Sequence, residues 1–180
     1  QYGFRKQRAT HETIGAIRRA IAKGESTETS TILLALDWEK AFDKVTHTAL
    51  FNALQRMNVP PKMINCIKTL YNNPKFLIQT DGQTSNQFTQ QTGIRQGCPL
   101  SPYLFIILMT TLFHDINLRK NKKISKQRIP GFQDDELLYA DDTMLITQSA
   151  VAMEQLLHLV QEEGRKIGLT LNKKKCNLFQ

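Results

Sequence analysis

Three aspartates, Asp37, Asp141 and Asp142, stand where a carboxylate is costly unless a cation meets it. Asp37 follows directly on Ile32-Leu33-Leu34-Ala35-Leu36, a continuous apolar run that reads as a strand buried on both faces. Asp141 and Asp142 are expected in a two-residue turn between two further strands, Glu136 to Ala140 and Thr143 to Thr147. Carboxylates at strand ends and tight turns are poor choices for burial unless something cationic pairs with them. A hard divalent ion such as Mg²⁺ suits such oxygen donors. Acids from distant segments converging on two ions would form a clamp for in-line phosphoryl displacement. Acidic turns are also common on protein surfaces, so neither feature decides alone.

Those acids need a scaffold, and the hydrophobic pattern predicts one of mixed type. Thr10 to Lys23 carries Ile14, Ile17, Ala20 and Ile21 at helical spacing and is expected to end at Gly24. Thr46 to Met57 reads as a second helix, with Leu50, Leu54 and Met57 on one side. Pro60-Pro61 restarts the chain into a third, which carries Met63, Ile64, Ile67, Leu70 and Tyr71. Lys75 to Thr80 and Asn86 to Thr92 flank Asp81-Gly82, a hairpin signal. Ser101-Pro102 predicts an N-cap with Pro at the first helical position. The helix that follows, to Asn117, is apolar nearly all round and therefore central. Arg119 to Arg128 holds six basic residues in ten and is expected to be a loop. Val151 to Ile167 reads as an amphipathic helix closed by Gly168. Helices mixed with hairpin strands predict an α+β fold.

Composition narrows the classes. A length of 180 residues fits one domain, and 41% apolar with 22% charged residues excludes general disorder. The longest apolar run, Tyr103 to Met109, falls far short of the ~20 residues a membrane helix needs, so no membrane partner is expected. The chain opens Gln1-Tyr2-Gly3-Phe4-Arg5, without Met and without a signal-peptide core, as expected of a cut end, of a fragment or a processed chain. The net charge of +8 suggests a polyanionic partner only weakly. Cys66, Cys98 and Cys176 are odd in number and widely spaced, which argues against a disulfide framework or a structural zinc site. They fit a reducing compartment as small core or loop residues. His11, His47, His114 and His158 are scattered and read as structural or surface residues.

The acids do not stand alone. Asp37 opens Asp37-Trp38-Glu39-Lys40-Ala41-Phe42-Asp43-Lys44-Val45, and the later pair closes Tyr139-Ala140-Asp141-Asp142. Between them lies Gly93-Ile94-Arg95-Gln96-Gly97-Cys98-Pro99-Leu100-Ser101-Pro102. These three blocks, in this order, resemble the palm motifs of reverse transcriptases. Lys40-Ala41-Phe42-Asp43 and Gly93 to Pro102 are most similar to the non-LTR (LINE-type) retrotransposon branch, with group II intron enzymes as neighbours. Gln1 to Thr10 resembles the block joining fingers to palm, with Gln7 before Arg8 where family members often carry Gly. Gly168-Leu169-Thr170-Leu171-Asn172-Lys173-Lys174-Lys175 resembles the block after the catalytic hairpin, with Cys176 replacing the usual Thr or Ser. A lone Asp-Asp is weak; five ordered blocks are specific.

The resemblance implies an RNA-directed DNA polymerase, part of a retrotransposon-type protein. Residues 1–180 would be an α+β polymerase palm, an antiparallel sheet bearing the acids with helices packed on its back, plus part of the fingers, the upstream fingers blocks and the thumb lying outside. It implies Asp37 and Asp141 bridging two Mg²⁺ ions, with Mn²⁺ as a substitute. The Trp38 backbone carbonyl would be a further ligand, and Asp142 would support the metal that activates the primer. The primer 3′-hydroxyl would attack the α-phosphate of a dNTP and release pyrophosphate. Phe42 would be the steric gate against a ribose 2′-hydroxyl. Gln96 and Gly97 would lie against the incoming nucleotide and template base, and Tyr139 beside the primer end. Lys175 would protonate the pyrophosphate, in a run of three lysines that leaves the assignment ambiguous. RNA-dependent RNA polymerases share the palm but carry a polar residue near the gate. Asp43 is one position on, yet Phe42 at the gate spacing and Ala140 before the acid pair favour DNA synthesis. Arg95 and the Arg119–Arg128 cluster read either as phosphate contacts or as exposed charge. The implied partners are an RNA template, a DNA primer and dNTP, with oligomeric state open. A LINE-type enzyme implies the nucleus, and a group II relative an organelle or the bacterial cytoplasm.

Overall fold

A computed structural model describes residues 1–130, 132 and 135–180, apart from the side chain of Lys123. Helix α1 (Thr10–Ser26) leads into strand β1 (Ile32–Leu36), followed by helices α2 (Ala41–Lys44), α3 (His47–Arg56) and α4 (Pro61–Tyr71). Short strands β2 (Lys75–Phe76), β3 (Gln79–Thr80), β4 (Gln83–Thr84) and β5 (Phe88–Thr89) come next. Helices α5 (Ser101–Arg119) and α6 (Lys122–Ser125) precede strands β6 (Glu136–Tyr139) and β7 (Asp142–Thr147), then helix α7 (Ala150–Lys166) and strand β8 (Asn177–Phe179).

The main sheet is antiparallel in the order β6-β7-β1-β8. Central β1 explains its own sequence, because a strand covered on both faces can be apolar at every position. Leu34 and Leu36 face the larger core with Leu138 and Leu145, against Phe105, Met109, Leu156 and Val160 of α5 and α7. Leu33, Leu137 and Ile146 face the other way and meet Ala16 and Ala20 of α1. Helices therefore cover both faces of the sheet, not its back alone. The all-round apolar helix α5 is central as its composition demands, with Phe105, Met109 and Ile116 wholly enclosed. Each such side chain stabilises the fold by roughly 1.5–3 kcal/mol.

Helix ends follow local chemistry. Thr46 caps α3, its Oγ1 accepting from Ala49 N at 3.4 Å. At the end of α7, Gly168 takes φ +91, Leu169 N donates to Gly164 O at 2.9 Å and Gly168 N donates to Arg165 O at 3.1 Å. These paired bonds are the Schellman closure that glycine permits.

Several expectations need correction. Helix α1 runs through Gly24, and a Cβ there would lie 1.9 Å from Thr31 Oγ1, so packing rather than termination requires glycine. Ser101 is the first helical residue after the cap Leu100, and its Oγ donates to Arg95 O instead of capping the helix. The hairpin around Asp81-Gly82 exists only as two short ladders, β2 with β5 and β3 with β4. The basic stretch is a loop only in part, since it holds the last residue of α5 and all of the short helix α6. Cys66 is exposed on α4, neither core nor loop, while Cys98 and Cys176 are half-buried.

Candidate active site

The hairpin β6–β7 and the end of β1 bring the acids to one edge of the sheet. Tyr139 pairs with Asp142, so the two turn residues are Ala140 and Asp141, and Asp142 opens β7. The turn therefore lies one residue earlier than the strand pattern predicts. Leu36 pairs with Thr143, which sets Asp37 at the strand end beside Asp142. Burial first, then the negative charges of Asp141 and Asp37, push the Asp142 carboxyl above its ordinary range. The three carboxylates thus repel one another electrostatically. An all-oxygen, like-charged donor set fits a hard divalent cation, whose charge removes that repulsion. Among the described residues, no three acidic, imidazole or thiol groups already stand in ion-holding geometry. The aspartates share an edge without being gathered round one point.

Trp38 locks this edge together. Its ring is buried, and Nε1–H donates to Thr143 Oγ1 at 3.1 Å, tying the segment after β1 to β7. A Cβ on Gly164 would lie 2.9 Å from the ring, so α7 approaches the indole closely because glycine stands there. Asn172 N donates to Asp37 O at 2.8 Å and Glu39 N to Thr170 O at 2.9 Å. The block after the hairpin therefore runs beside Asp37–Glu39, and exposed Lys173, Lys174 and Lys175 follow it.

A second group assembles around α2. The half-buried Phe42 ring stacks on Phe105, with centroids 4.4 Å apart. Gly93 N donates to Val45 O at 2.7 Å and Ile94 N to Phe42 O at 2.6 Å. Gly93 takes φ +94, and a Cβ there would lie 2.7 Å from Asp43 O, so only glycine lets these segments cross. His47 Nε2 hydrogen-bonds Gly93 O at 3.0 Å, giving one of the four histidines a structural part. Exposed Gln96 donates from Nε2 to Asp43 Oδ1 at 2.9 Å, a pairing no sequence signal foretold. A Cβ on Gly97 would meet nothing within 4 Å, so this backbone borders open space.

Other positions fall differently. Arg95 is exposed beside Gln96. Within the basic stretch, Arg119 pairs with Glu162 and Glu163, Lys120 with Asp135 and Glu136, and Arg128 with Asp135. Those three cations are engaged in the fold. A mainly apolar cavity of about 290 Å³ lies between α1 and the sheet, reaching Tyr139 and Asp142. Among the described residues, no helix is long and apolar enough to cross a membrane.

Comparison with known proteins joins this geometry to a family. Residues 1–180 match the family model described as reverse transcriptase (RNA-dependent DNA polymerase). Similar curated proteins include the Xenopus laevis transposon TX1 uncharacterized 149 kDa protein, 29% identical over 82% of this chain and 11% of that protein. The Pol polyprotein of the Drosophila melanogaster type-2 retrotransposable element R2DM is 26% identical over 82% of this chain and 13% of its own length. The RNA-directed DNA polymerase of the Drosophila funebris mobile element jockey is 26% identical over 98% of this chain and 19% of its own length. The chain thus spans between 11% and 19% of these relatives. Among solved structures, Candida tropicalis apo telomerase truncated from its C-terminal domain aligns at TM-score 0.71 and 18% identity, covering 95% of this chain and 35% of that one. Candida albicans telomerase with a telomeric RNA fragment aligns at TM-score 0.71 and 12% identity, covering 96% of this chain and 31% of that one. These two share the fold.

Proposed function

The chain belongs to the reverse transcriptase family, in its non-LTR retrotransposon branch, and from that premise we propose that it is the catalytic palm of an RNA-directed DNA polymerase. It extends a DNA primer with dNTPs on an RNA template. The observation that carries this reading is the meeting of Asp37, Asp141 and Asp142 at one sheet edge, where burial, with the added charges of Asp141 and Asp37, raises Asp142. Asp37, Asp141, Asp142 and the Trp38 carbonyl would hold two Mg²⁺ ions, with Mn²⁺ as a substitute. When bound, such ions lower the pKa of a coordinated hydroxyl and neutralise charge on attacking and leaving oxygens.

The remaining roles belong to the chain's own side chains. Phe42, braced by Phe105, excludes a ribose 2′-hydroxyl. Gln96, oriented by Asp43, and Gly97, bordered by open space, receive the incoming nucleotide and template base. Because a carboxylate only accepts, the bond to Asp43 fixes the Gln96 amide with Nε2 inward, leaving Oε1 to accept from the nucleotide. Tyr139 borders the primer end, and Lys175 supplies a proton to the departing pyrophosphate. A LINE-type enzyme of this kind acts in the nucleus.

Primer extension by the full-length protein tests the proposal. Wild type incorporates dNTPs in preference to rNTPs on an RNA template, while Asp37→Asn and Asp141→Asn abolish extension and keep the circular-dichroism spectrum. Retained extension by either variant sinks the metal-ligand roles. A wild-type preference for rNTPs sinks DNA synthesis.

A further inference from the structure

The turn that carries Asp141 is held in an unfavourable backbone conformation by a side chain outside the hairpin. Ala140 sits at φ +55, the left-handed region that L residues other than glycine enter at a cost. It is also buried, so its peptide groups need protein partners. Both come from one carboxamide. Ala140 N donates to Gln1 Oε1 at 3.0 Å, and Gln1 Nε2 donates to Ala140 O at 3.2 Å. Gly3 N donates to the same Oε1 at 2.9 Å, which sets the amide's orientation. Tyr2 N donates to Leu138 O at 2.7 Å, adding a backbone tie to β6. A Cβ on Gly3 would lie 2.3 Å from Ala140 N, so the approach requires glycine at that position.

We propose that Gln1 is a positioning residue for the acidic hairpin, its carboxamide clamping both peptide groups of Ala140 so that Asp141 and Asp142 are presented in one fixed geometry. The assignment rests on the polymerase reading for its kinetic consequence and on the hydrogen bonds alone for its structural one. A carboxamide of this reach sets one acceptor and one donor side by side in a plane, the complement of a residue's own N–H and C=O. A carboxylate in its place keeps the acceptor, loses the donor and adds negative charge beside three aspartates.

The test uses the full-length protein, with two readouts. In Gln1→Ala, hydrogen exchange of segment 138–142 quickens about tenfold, while exchange in the rest of β1 and β7 is unchanged. In steady-state primer extension the same variant loses about tenfold in kcat, with KM for dNTP moving less than about twofold. Glycine enters positive φ without penalty, so adding Ala140→Gly to Gln1→Ala recovers at least about threefold of the lost kcat. Should Gln1→Ala fail to fold, Gln1→Glu, which keeps the side-chain length, gives the same losses. The clamp is overturned if exchange in 138–142 does not change. It is also overturned if the loss falls on KM alone, or if Ala140→Gly recovers nothing. Should wild type extend no primer, the polymerase reading falls, and the exchange measurement alone decides the clamp.

Discussion

Replacing Lys120 with Met should expose how much of the fold rests on a buried charge cluster beneath the hairpin. Lys120 follows the last residue of α5, and only 2% of its side chain is exposed. Its Nζ donates to Asp135 Oδ1, to Glu136 Oε2 at 2.7 Å and to Asn117 Oδ1 at 2.5 Å. Burial and the hydrogen bond to Asp135 push the Glu136 carboxyl up to about 7 against the attraction of Lys120. Burial pushes Asp135 up as well, but the Glu136 hydrogen bond and the charges of Lys120 and Arg128 outweigh it and hold Asp135 down at about 2. Met preserves the aliphatic volume and removes the cation that both carboxylates share. Deleting one partner of a buried ion cluster costs about 3–5 kcal/mol. In a chain of this size that lowers the thermal midpoint by roughly 6–20 °C.

The pH dependence of this variant has a definite sign. Glu136 is raised in the folded state, so its contribution is full below its ordinary 4.5 and is lost as pH rises through about 7. Asp135 is depressed, so its contribution is present above its ordinary 3.8 and is lost as pH falls toward about 2. Without Lys120, Glu136 becomes harder to ionise, and the deficit of Lys120→Met grows from pH 5.5 to pH 8.5. Urea unfolding followed by circular dichroism at both pH values measures it. A deficit below about 1 kcal/mol at pH 8.5, or one equal at both pH values, would show that the cluster contributes no more than a surface pair.

Three other perturbations probe the site. Phe42→Val opens space beside Phe105 and should raise rNTP incorporation relative to dNTP by about tenfold or more, read by single-nucleotide extension; an unchanged ratio removes Phe42 from sugar selection. Gly164→Ala drives a methyl into Trp38, costing about 1–3 kcal/mol and shifting the emission of the chain's single tryptophan, with a native-like spectrum and stability counting against the contact. Asp37→Asn should return the Asp142 carboxyl toward its ordinary value, as followed by NMR titration, and should abolish the Mg²⁺-dependent rise in thermal midpoint expected of wild type; Asp142 titrating as before would separate the two acids.

The elements that decide the fold were legible where one residue pattern had one solution. Ile32–Leu36 is a strand of those bounds because a five-residue run, apolar throughout and bounded by polar loop and acid, is too short for a buried helix and suits a doubly covered strand. Helix α5 announced its central place by carrying apolar residues on every side. The acids were legible as a set through block order, while their register was misplaced by one, since Ala140 at positive φ is a choice a sequence reader assigns to Gly or Asp. Strand β8 was missed because Asn177-Leu178-Phe179 is too short to carry a period, and its pairing with β1 is a tertiary decision. The basic stretch misled for a related reason. Charge density reads as a solvated loop, but Lys120 finds its partners on β6, beyond any local pattern. Gln96 with Asp43 and Gln1 with Ala140 are likewise contacts between distant segments, invisible to spacing.

The central place of β1 also sets a timetable for synthesis. Both its sheet neighbours, β7 and β8, lie far downstream, and the Trp38–Thr143 bond alone spans 105 residues. At ordinary translation speed that interval is roughly 5–20 s. During it, the nascent chain can pair α3 with α4, a contact that closes a short loop. Ile32–Leu36 meanwhile waits with both edges bare and both faces greasy, the form in which strands recruit other chains. A ribosome stalled before Asp142 therefore releases an aggregation seed, and expression yield of fragments ending before β7 should fall far below that of fragments ending after β8.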